Sequence, residues 1–277
     1  MNDWTGVHEL MMLALKEDIG PGDITTNSLI PAEQKGCGVF VSRAEGILAG
    51  IELSCEVFRF LDDKMQFDFY LQDGEQIHPG TQIAVVEGSM RTLLTGERLA
   101  LNFLQRLSGI ATHTYQAVDS IRYSTVQLLD TRKTTPGMRE LEKYAVKVGG
   151  ARNHRFGLFD GVMIKDNHIK AVGSIQKAVS LARKQVPHTI KIEVEVENLE
   201  QLQEALESCA DIILLDNMDL DTMRQAVEMT DGQALLEASG GITAATLAEV
   251  ARTGVDFISM GALTHSAPSL DISFDII

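Results

Sequence analysis

From residue 126 onward the chain repeats one pattern, in which a short apolar run is followed by a segment with helical spacing. The apolar runs are "VQLLDTRK" (126–133), "DGVMIKDNH" (160–168), "IKIEVEVEN" (190–198), "DIILLDNM" (211–218), "ALLEASGG" (234–241) and "VDFISMGA" (255–262). Intervening segments such as "LEQLQEALESC" carry apolar residues at helical intervals. Alternating strands and helices predict parallel β/α units. Because six runs fall short of the eight strands of a closed β/α barrel, we expect an open, incomplete TIM-like barrel.

Each run is apolar in its body and ends in charged or small residues. The polar or small residues at these ends are Asp130, Arg132, Lys133, Lys165, Asp166, Glu193, Glu195, Asp216, Asn217, Glu237, Ser239 and Gly261. The carboxyl ends of the strands form the active-site face of a β/α barrel. Buried charges are costly unless they are paired or bound to a ligand. The pattern therefore predicts a binding site at this face.

The first hundred residues have a different pattern. Residues 6–17 have the spacing of an amphipathic helix, and the turn-rich "DIGPGDITTNSLIP" follows. Segments 36–50, 65–74 and 81–88 predict strands, and 92–121 predicts one or two long helices. The tail "HSAPSLDISFDII" predicts a final strand that returns to this region. We therefore expect an α/β domain made of 1–103 with 264–277, and a barrel domain at 104–263.

Charge is unevenly distributed along the chain. Overall there are 24 Lys and Arg against 39 Asp and Glu, a formal net charge of −15, yet residues 130–170 hold nine basic and five acidic residues. The overall acidity argues against a nucleic-acid binder. A local basic region indicates a pocket for a small polyanion. For Arg139, Lys143 and Lys147, solvated helix faces remain the alternative.

The sequence lacks the signals of membrane or secreted proteins. No apolar run approaches the roughly 20 residues that span a bilayer, and the first 18 residues carry acidic side chains where a signal peptide needs basic ones. Three widely separated cysteines give neither a disulfide framework nor a Cys-x-x-Cys metal pair. We expect a cytoplasmic protein that contacts no membrane.

Two glycine-bearing loops, "EASGGIT" (237–243) and "SMGAL" (259–263), follow the last two barrel strands. Glycine lets backbone N–H groups approach an oxyanion, and barrel enzymes often hold phosphate at these late loops. Ordinary turns are the alternative.

Glu195 and Asp216 end neighbouring strands. They could share Mg²⁺ with substrate phosphates, bind sugar hydroxyls, stabilise a developing cation beside Lys165, or form structural ion pairs.

Four further residues on this part of the chain invite interpretation. His154 and His168 lack a third ligand at metal-binding spacing, so we interpret His154 with Arg155 as anion donors and His168 as structural. Arg98 and Arg106 lie on a predicted helix, where surface solvation is the default.

No catalytic triad, P-loop or dinucleotide-binding motif occurs, so a covalent nucleophile is not indicated.

The segment "DTRKTTPGMRELEKYAVKVGGARNHRFGLFDGVMIKDNHI" (130–169) closely resembles the quinolinate phosphoribosyltransferase family. The similarity extends over the whole chain, in "EDIGPGDITT", "GERLALNFLQRLSGIAT", "IEVEVEN", "LLDNM", "EASGGI" and "ISMGALTHSAPSLDIS". It implies an α/β sandwich domain with an open β/α barrel. It also implies phosphoribosyl transfer from phosphoribosyl pyrophosphate to quinolinate with decarboxylation, Mg²⁺ as cofactor, and a homodimer or higher even oligomer with a shared active site.

The resemblance also implies roles for individual residues. Those matching the quinolinate site are Arg132, His154, Arg155 and Lys165, with Arg98 donated across the dimer and Thr131 at the substrate. Lys133, Glu195 and Asp216 match groups that face the ribose, the pyrophosphate and the metal. The phosphate-binding set is Ser239, Gly240, Gly241, Met260, Gly261, Ala262 and His265. We expect Lys133, Lys165, Glu195 and Asp216 to be the catalytic residues.

Two other classes of function remain open from the residues themselves. A different sugar-phosphate barrel enzyme, such as an aldolase or isomerase, would also use a lysine at a strand end and a late phosphate site. A non-catalytic anion-binding protein would bind the same ligands without turnover. The density of ionisable groups on one barrel face favours an enzyme.

Overall fold

The computed structural model describes residues 6–277, so the first five residues of the expected α/β domain lie outside the described residues. The elements of the first part of the chain are α1 His8–Ile19, α2 Ile24–Leu29, β1 Lys35–Ser42, β2 Gly46–Ile47, α3 Ile51–Leu61, β3 Gln66–Phe69, β4 Gln76–Ile77, β5 Gln82–Ser89 and α4 Met90–Ser120. Those of the second part are β6 Gln127–Leu129, α5 Arg139–Val148, β7 Val162–Ile164, α6 Asp166–Val172, α7 Ile175–Gln185, β8 Ile192–Val196, α8 Leu199–Glu207, β9 Ile212–Asp216, α9 Leu220–Thr230, β10 Leu235–Ser239, α10 Leu247–Val250, β11 Phe257–Ser259, α11 Ala262–His265 and β12 Ile272–Ile276.

The chain divides into two compact units whose boundaries differ from the expected ones. Among the described residues, the first unit holds 6–115, 135–150 and 266–277, and the second holds 116–134 and 151–265. The expected boundary near 103 lies inside the continuous helix α4. Segment 135–150 belongs to the first unit because its side chains bond there: Glu142 accepts from Arg106, and the Tyr144 hydroxyl donates to Asp73 over 2.6 Å.

The first unit is built on an antiparallel sheet with strand order β12-β1-β5-β3. Val39, Val41 and Val85 form an apolar cluster in this sheet. The neighbouring Phe40 contacts Phe274 at a ring-centroid distance of 4.7 Å. The predicted carboxyl-terminal strand is confirmed as β12, which pairs with β1.

The second unit is a six-stranded parallel sheet with order β6-β11-β10-β9-β8-β7. All six predicted strands are confirmed, and the two edge strands β6 and β7 are not paired with each other in the described part of the chain, so the barrel is open. Beside β6, Arg152 forms a parallel bridge with Leu129. In β8 the alternation sends Glu193 and Glu195 to one face, while the buried Val194 and Val196 lie on the other.

Helix positions departed from the sequence pattern at two places. The turn-rich segment 18–31, for which no helix was predicted, contains α2, because the Asp23 side chain caps it by accepting the Thr26 N–H over 2.9 Å. Segment 243–253 forms only the short α10, since Thr243 and Thr246 bond to each other in a turn before helical bonding starts. Segment 92–121 forms the single helix α4. In the described chain no helix combines the length and hydrophobicity needed to cross a membrane.

Candidate active site

A cavity of about 580 Å³ opens at the carboxyl ends of the barrel strands. Parallel strands end at one edge of the sheet, so each strand delivers its terminal side chains to the same place. The predicted site residues that line this cavity are Thr131, Arg132, Lys133, His154, Arg155, Lys165, Glu195, Asp216, Ser239, Gly240 and Gly241. Eleven side chains and glycines, predicted from separate motifs, therefore share one cavity.

The segment after β6 is held in place by the buried carboxylate of Asp130. Its oxygens accept the side-chain amide of Asn153 over 2.6 Å and the backbone N–H of His154 over 2.9 Å. The Lys133 carbonyl accepts the Thr264 hydroxyl over 2.8 Å. These bonds fix the irregular backbone on both sides of Arg132, because buried polar groups of the main chain must find partners.

Arg132 and Arg155 place two positive charges in the cavity wall. Burial is the main cause that lowers the pKa of Arg155, and the charge of Arg132 lowers it further, while Glu193 and Asp160 oppose the change. The Arg155 guanidinium also donates to the Gly161 carbonyl over 3.1 Å. Two guanidiniums that repel each other in a partly buried site are stabilised by a bound anion, and their forked donors suit carboxylates.

Lys165 and Glu195 form an ion pair across the cavity, with the Lys165 Nζ at 2.7 Å from Glu195 Oε2. The lysine side chain is 45% exposed and the glutamate 15%, so the lysine faces the open cavity. The Lys165 backbone N–H donates to His168 Nδ1 over 2.9 Å at the start of α6. This bond agrees with the structural interpretation of His168.

The loop after β10 depends on glycine. Gly240 and Gly241 have φ of +93° and +63°, in the left-handed region that side chains disfavour. A Cβ at Gly240 would lie 2.3 Å from the Asn217 Oδ1 and 2.9 Å from the Asn217 backbone nitrogen. Asn217 in turn donates to Asp216 over 2.9 Å. The backbone of this loop is thus open to a ligand on its cavity side, as a phosphate cradle requires.

Below Arg155, the His154 ring lies between two buried acids. Its Nε2 is 3.3 Å from Glu193 Oε2 and 3.5 Å from Glu237 Oε1. Burial lowers the pKa of His154, but the hydrogen bonds and charges of the two glutamates outweigh it and raise the pKa to about 10. For Glu193 burial acts in the opposite direction, and it is the main cause that raises the pKa of this carboxyl group. We name this group the His154 cluster: His154, Glu193 and Glu237.

The His154 cluster separates two cavities. The second cavity, of about 310 Å³, reaches toward the amino ends of the strands and shares His154, Arg155 and Glu237 with the first. Sequence reasoning noted Glu193 and Glu237 at strand ends but did not place them with His154. The available signal was the alternation of Glu193 with Glu195, which put both on one face of β8.

Comparison with known proteins shows which family the chain belongs to. Residues 23–108 match the family description "Quinolinate phosphoribosyl transferase, N-terminal domain", and residues 110–275 match its C-terminal domain. The chain belongs to the quinolinate phosphoribosyltransferase family. The family expected from the sequence motifs is thereby confirmed.

Individual family members are similar over almost their whole length. The "Probable nicotinate-nucleotide pyrophosphorylase [carboxylating]" of Bacillus subtilis is 50% identical over 94% of this chain and 90% of its own. The protein of that name from Synechocystis is 45% identical over 99% and 94%. Among crystal structures, NadC from Streptococcus pyogenes has a TM-score of 0.96 at 40% identity, covering 100% of this chain and 98% of that one. The two-domain fold with an open barrel is therefore that of the family.

The remaining residues that the family resemblance implied lie outside the cavity wall. Met260 and Gly261 connect β11 to α11, which contains Ala262 and His265. A Cβ on Gly261 would lie 3.0 Å from the Lys133 side chain and 3.2 Å from the His265 ring. This loop therefore packs directly against a cavity residue.

The two arginines of α4 differ from each other. The Arg98 side chain is 61% exposed, with Glu97 at 4.0 Å. The expectation of a solvated Arg106 was wrong: its guanidinium is 22% exposed and lies 2.7 Å from Glu142, whose side chain is fully buried. The assumption that Arg106 is solvated was wrong because Glu142, 36 positions later in the chain, brings its carboxylate to α4.

Proposed function

We propose that this protein transfers the phosphoribosyl group of phosphoribosyl pyrophosphate to quinolinate, with loss of CO₂, to give nicotinate mononucleotide and pyrophosphate for NAD biosynthesis. Family membership over the whole chain supports the reaction. The single structural observation that carries it is the pair Arg132 and Arg155 in a cavity that also holds a lysine and a glycine loop. Such a site suits one substrate with two carboxylates and a second with phosphates.

In this proposal quinolinate occupies the basic side of the cavity. Its two carboxylates face Arg132, Arg155 and Lys165, where anion binding relieves the repulsion between the guanidiniums. Lys165 can leave Glu195 for a substrate carboxylate, since nearly half of its side chain is exposed. Thr131 and His154 complete the wall on this side.

Phosphoribosyl pyrophosphate occupies the opposite side. Its 5′-phosphate lies at Ser239, Gly240 and Gly241, where the left-handed glycines leave backbone donors accessible. The loop Met260, Gly261 and Ala262 with His265 supports this cradle by packing against Lys133. Lys133 faces the pyrophosphate, as a cation that stabilises the leaving group.

The chemistry proceeds by placement and electrostatics. The bond from ribose C1 to the pyrophosphate oxygen breaks as the quinolinate nitrogen bonds to C1, through an oxocarbenium-like state that Glu195 or Asp216 stabilises. The ribosylated nitrogen is then cationic. Its positive charge stabilises the carbanion that remains on the adjacent ring carbon when the C–C bond to the carboxylate breaks and CO₂ departs, and a proton then bonds to that carbon. Lys165 and Arg155 position the substrate and form no covalent bond.

The donor set fits magnesium shared with substrate. Glu195 and Asp216 end neighbouring strands and line the cavity, and Mg²⁺ is commonly held by one or two carboxylates plus substrate phosphates. Within residues 6–277, three ligating side chains converge only in the His154 cluster, so no all-protein magnesium cage is available. When bound, the ion would neutralise charge on the pyrophosphate.

We also propose a homodimer, or a higher even oligomer, that shares active sites. The exposed Arg98 supports this, since a guanidinium that is 61% exposed and 4.0 Å from Glu97 is available to a second copy. A cytoplasmic location remains a prediction that goes with small soluble substrates.

The test is turnover by the purified protein with quinolinate, phosphoribosyl pyrophosphate and Mg²⁺, measured as nicotinate mononucleotide and CO₂. Arg132→Ala and Lys165→Ala should each lose at least about a hundredfold in kcat/KM, because each removes a charged contact to substrate. Matched controls are Arg224→Ala and Lys170→Ala, which remove exposed cations paired with Asp221 and Asp166. Both controls should keep wild-type rates.

The alternatives give different results in the same experiment. An aldolase with a Schiff-base Lys165 would be trapped by borohydride and its substrate. A binding protein would bind quinolinate without releasing CO₂. Absence of turnover in the wild-type protein would refute the proposed function.

A further inference from the structure

Residues 155–161, which we name the Arg155 loop, precede β7 and contain neither helix nor strand. The loop begins with Arg155, which lines the substrate cavity. Lys165, Glu195 and Asp216 of the same cavity lie in, or directly after, strands of the parallel sheet. Arg155 lacks the support of such a hydrogen-bonded ladder, so the direction of its guanidinium depends on what holds the loop.

Two side chains at opposite ends of the loop each bond to the backbone at the other end. The Asp160 carboxylate accepts the backbone N–H of Phe156 and, over 2.8 Å, that of Gly157. The Arg155 guanidinium in turn donates to the backbone carbonyl of Gly161 over 3.1 Å. Asp160 therefore holds the two residues that follow Arg155, while Arg155 holds the residue that follows Asp160. This exchange of bonds closes the loop.

Packing within the loop agrees with this closure. A Cβ on Gly161 would lie 3.4 Å from the Cβ of Arg155 and 3.6 Å from its Cδ, so the arginine stem runs along the Gly161 backbone. A Cβ on Gly157 would lie 2.4 Å from the Phe159 ring, so a glycine is needed where this ring folds back onto the loop. At the other end of the arginine, Nη2 lies 3.6 Å from the Met163 sulfur in β7.

Asp160 is placed to act through Arg155 and not on the substrate. Arg155 lines both the substrate cavity and the second cavity, whereas Asp160 is exposed and, of the two cavities, lines only the second. Burial is the main cause that lowers the pKa of Arg155, and the negative charge of Asp160 opposes it. The carboxylate therefore favours the charged form of the arginine as well as holding its backbone.

We propose that Asp160 is a positioning residue for quinolinate binding, which holds the Arg155 loop closed so that the Arg155 guanidinium faces a substrate carboxylate. This inference rests on the proposed function. Without the Asp160 carboxylate, the N–H groups of Phe156 and Gly157 would bond to water, and the loop would open directly beside Arg155. The arginine would keep its charge but would less often adopt the orientation that a forked contact with a carboxylate needs.

The first experiment measures kcat, and KM for each substrate, in variants of the full-length protein. Arg155→Ala removes a charged contact and should raise KM for quinolinate by about ten- to a hundredfold. Asp160→Ala should raise the same KM by about tenfold, while KM for phosphoribosyl pyrophosphate stays within about twofold in both variants. Asp160→Asn keeps one acceptor oxygen and should restore part of the loss.

Asp211→Ala is the matched control. Asp211 also accepts a backbone N–H, from Ile192 over 2.7 Å, and bonds to an arginine, Arg183, over 2.7 Å. It directly precedes β9, at the amino end of that strand, and does not line the substrate cavity. Its loss should lower stability and leave both KM values unchanged, which separates loop positioning from general destabilisation.

A double-mutant cycle tests whether Asp160 acts through Arg155. If it does, adding Asp160→Ala to Arg155→Ala should change KM for quinolinate by no more than about twofold. Additive losses would overturn the inference, as would an unchanged KM for quinolinate in Asp160→Ala, or equal changes in KM for both substrates. Asp160→Asn takes the place of the alanine variant if the latter does not fold.

Limited proteolysis measures loop closure without turnover. Leu158 and Phe159 are 74% and 80% exposed, so chymotrypsin, which cleaves after large apolar residues, can reach these side chains, but cleavage requires the backbone to open. Asp160→Ala should be cut within 156–160 at least about tenfold faster than the wild type and Asp211→Ala. Equal rates would overturn the inference. Lack of turnover in the wild type, with this difference in cleavage intact, would refute the proposed function but leave the loop closure in place, so the two failures are distinguishable.

Discussion

Replacing Gly240 by alanine isolates the contribution of the loop after β10 to phosphate binding. Gly240 has φ of +93°, where an L-residue is disfavoured by roughly 1–2 kcal/mol. The new Cβ would also lie 2.9 Å from the Asn217 backbone nitrogen, and such overpacking costs about 1–3 kcal/mol. Together the two effects predict a strain of roughly 2–5 kcal/mol, which the loop can relieve only by moving.

Two matched glycines separate these effects. Gly232, after α9, has φ of +72° and no atom within 4 Å of its Cβ position, so Gly232→Ala should cost only about 1–2 kcal/mol of stability and leave the kinetics unchanged. Gly241 has φ of +63° with its nearest neighbour 4.0 Å away, so Gly241→Ala should have the same cost in stability and a small effect on KM.

Steady-state kinetics and thermal unfolding would check this prediction. A displaced loop loses charge-assisted bonds to the 5′-phosphate, worth about 1.5–3 kcal/mol each. Gly240→Ala should therefore raise KM for phosphoribosyl pyrophosphate by about ten- to a hundredfold and leave KM for quinolinate near its normal value. If Gly240→Ala had the same kinetics as Gly232→Ala, the reasoning about the cradle would be refuted.

Two other predictions concern α4. Glu142→Ala should destabilise the protein by about 3–5 kcal/mol, because it removes the carboxylate paired with the Arg106 guanidinium and the acceptor for the Thr135 N–H and hydroxyl. Asp119→Ala, in an exposed pair, should cost about 0–1 kcal/mol, and equal midpoints of the two variants in chemical denaturation would contradict this. Arg98→Ala and Lys165→Ala should each be inactive alone. When the two variants are unfolded, mixed and refolded together, half of the randomly formed dimers contain one subunit of each kind and therefore one intact shared site. The mixture should therefore recover about a quarter of wild-type activity. No recovery, despite mixed dimers shown by mass spectrometry, would exclude a donated Arg98.

The elements that the sequence predicted best are those with local signals. The six barrel strands, long helical structure over 92–121 and the final strand were all visible as apolar periodicity, although the sequence left open whether 92–121 holds one helix or two. The short α2 was missed because its signal was one capping residue, Asp23, among turn-forming residues. The prediction that the Arg106 side chain is solvated was wrong because no local sequence pattern indicates a distant partner such as Glu142.

The candidate site divides in the same way. Lys133, Lys165, Glu195, Asp216 and Ser239 were grouped because strand ends in a parallel sheet meet at one face, so position along each run is enough. His154 and Arg155 also line the main cavity, but they lie outside the predicted strands and were singled out as anion donors and by the family resemblance. Position along the runs could not predict the His154 cluster, because its glutamates come from β8 and β10 and its histidine from an irregular segment. Their meeting depends on strand order and on the bridge between Leu129 and Arg152.

The sequence by itself determined the alternation of strands and helices, the open barrel, the basic region within an acidic chain and the family. It did so because hydrophobic periodicity and motif order are properties of neighbouring residues. Only the tertiary structure decided that 135–150 packs with the first unit, that Arg106 is paired and that His154 lies between two buried acids. These facts depend on which distant side chains meet inside the folded chain, where burial changes the energy of every charge.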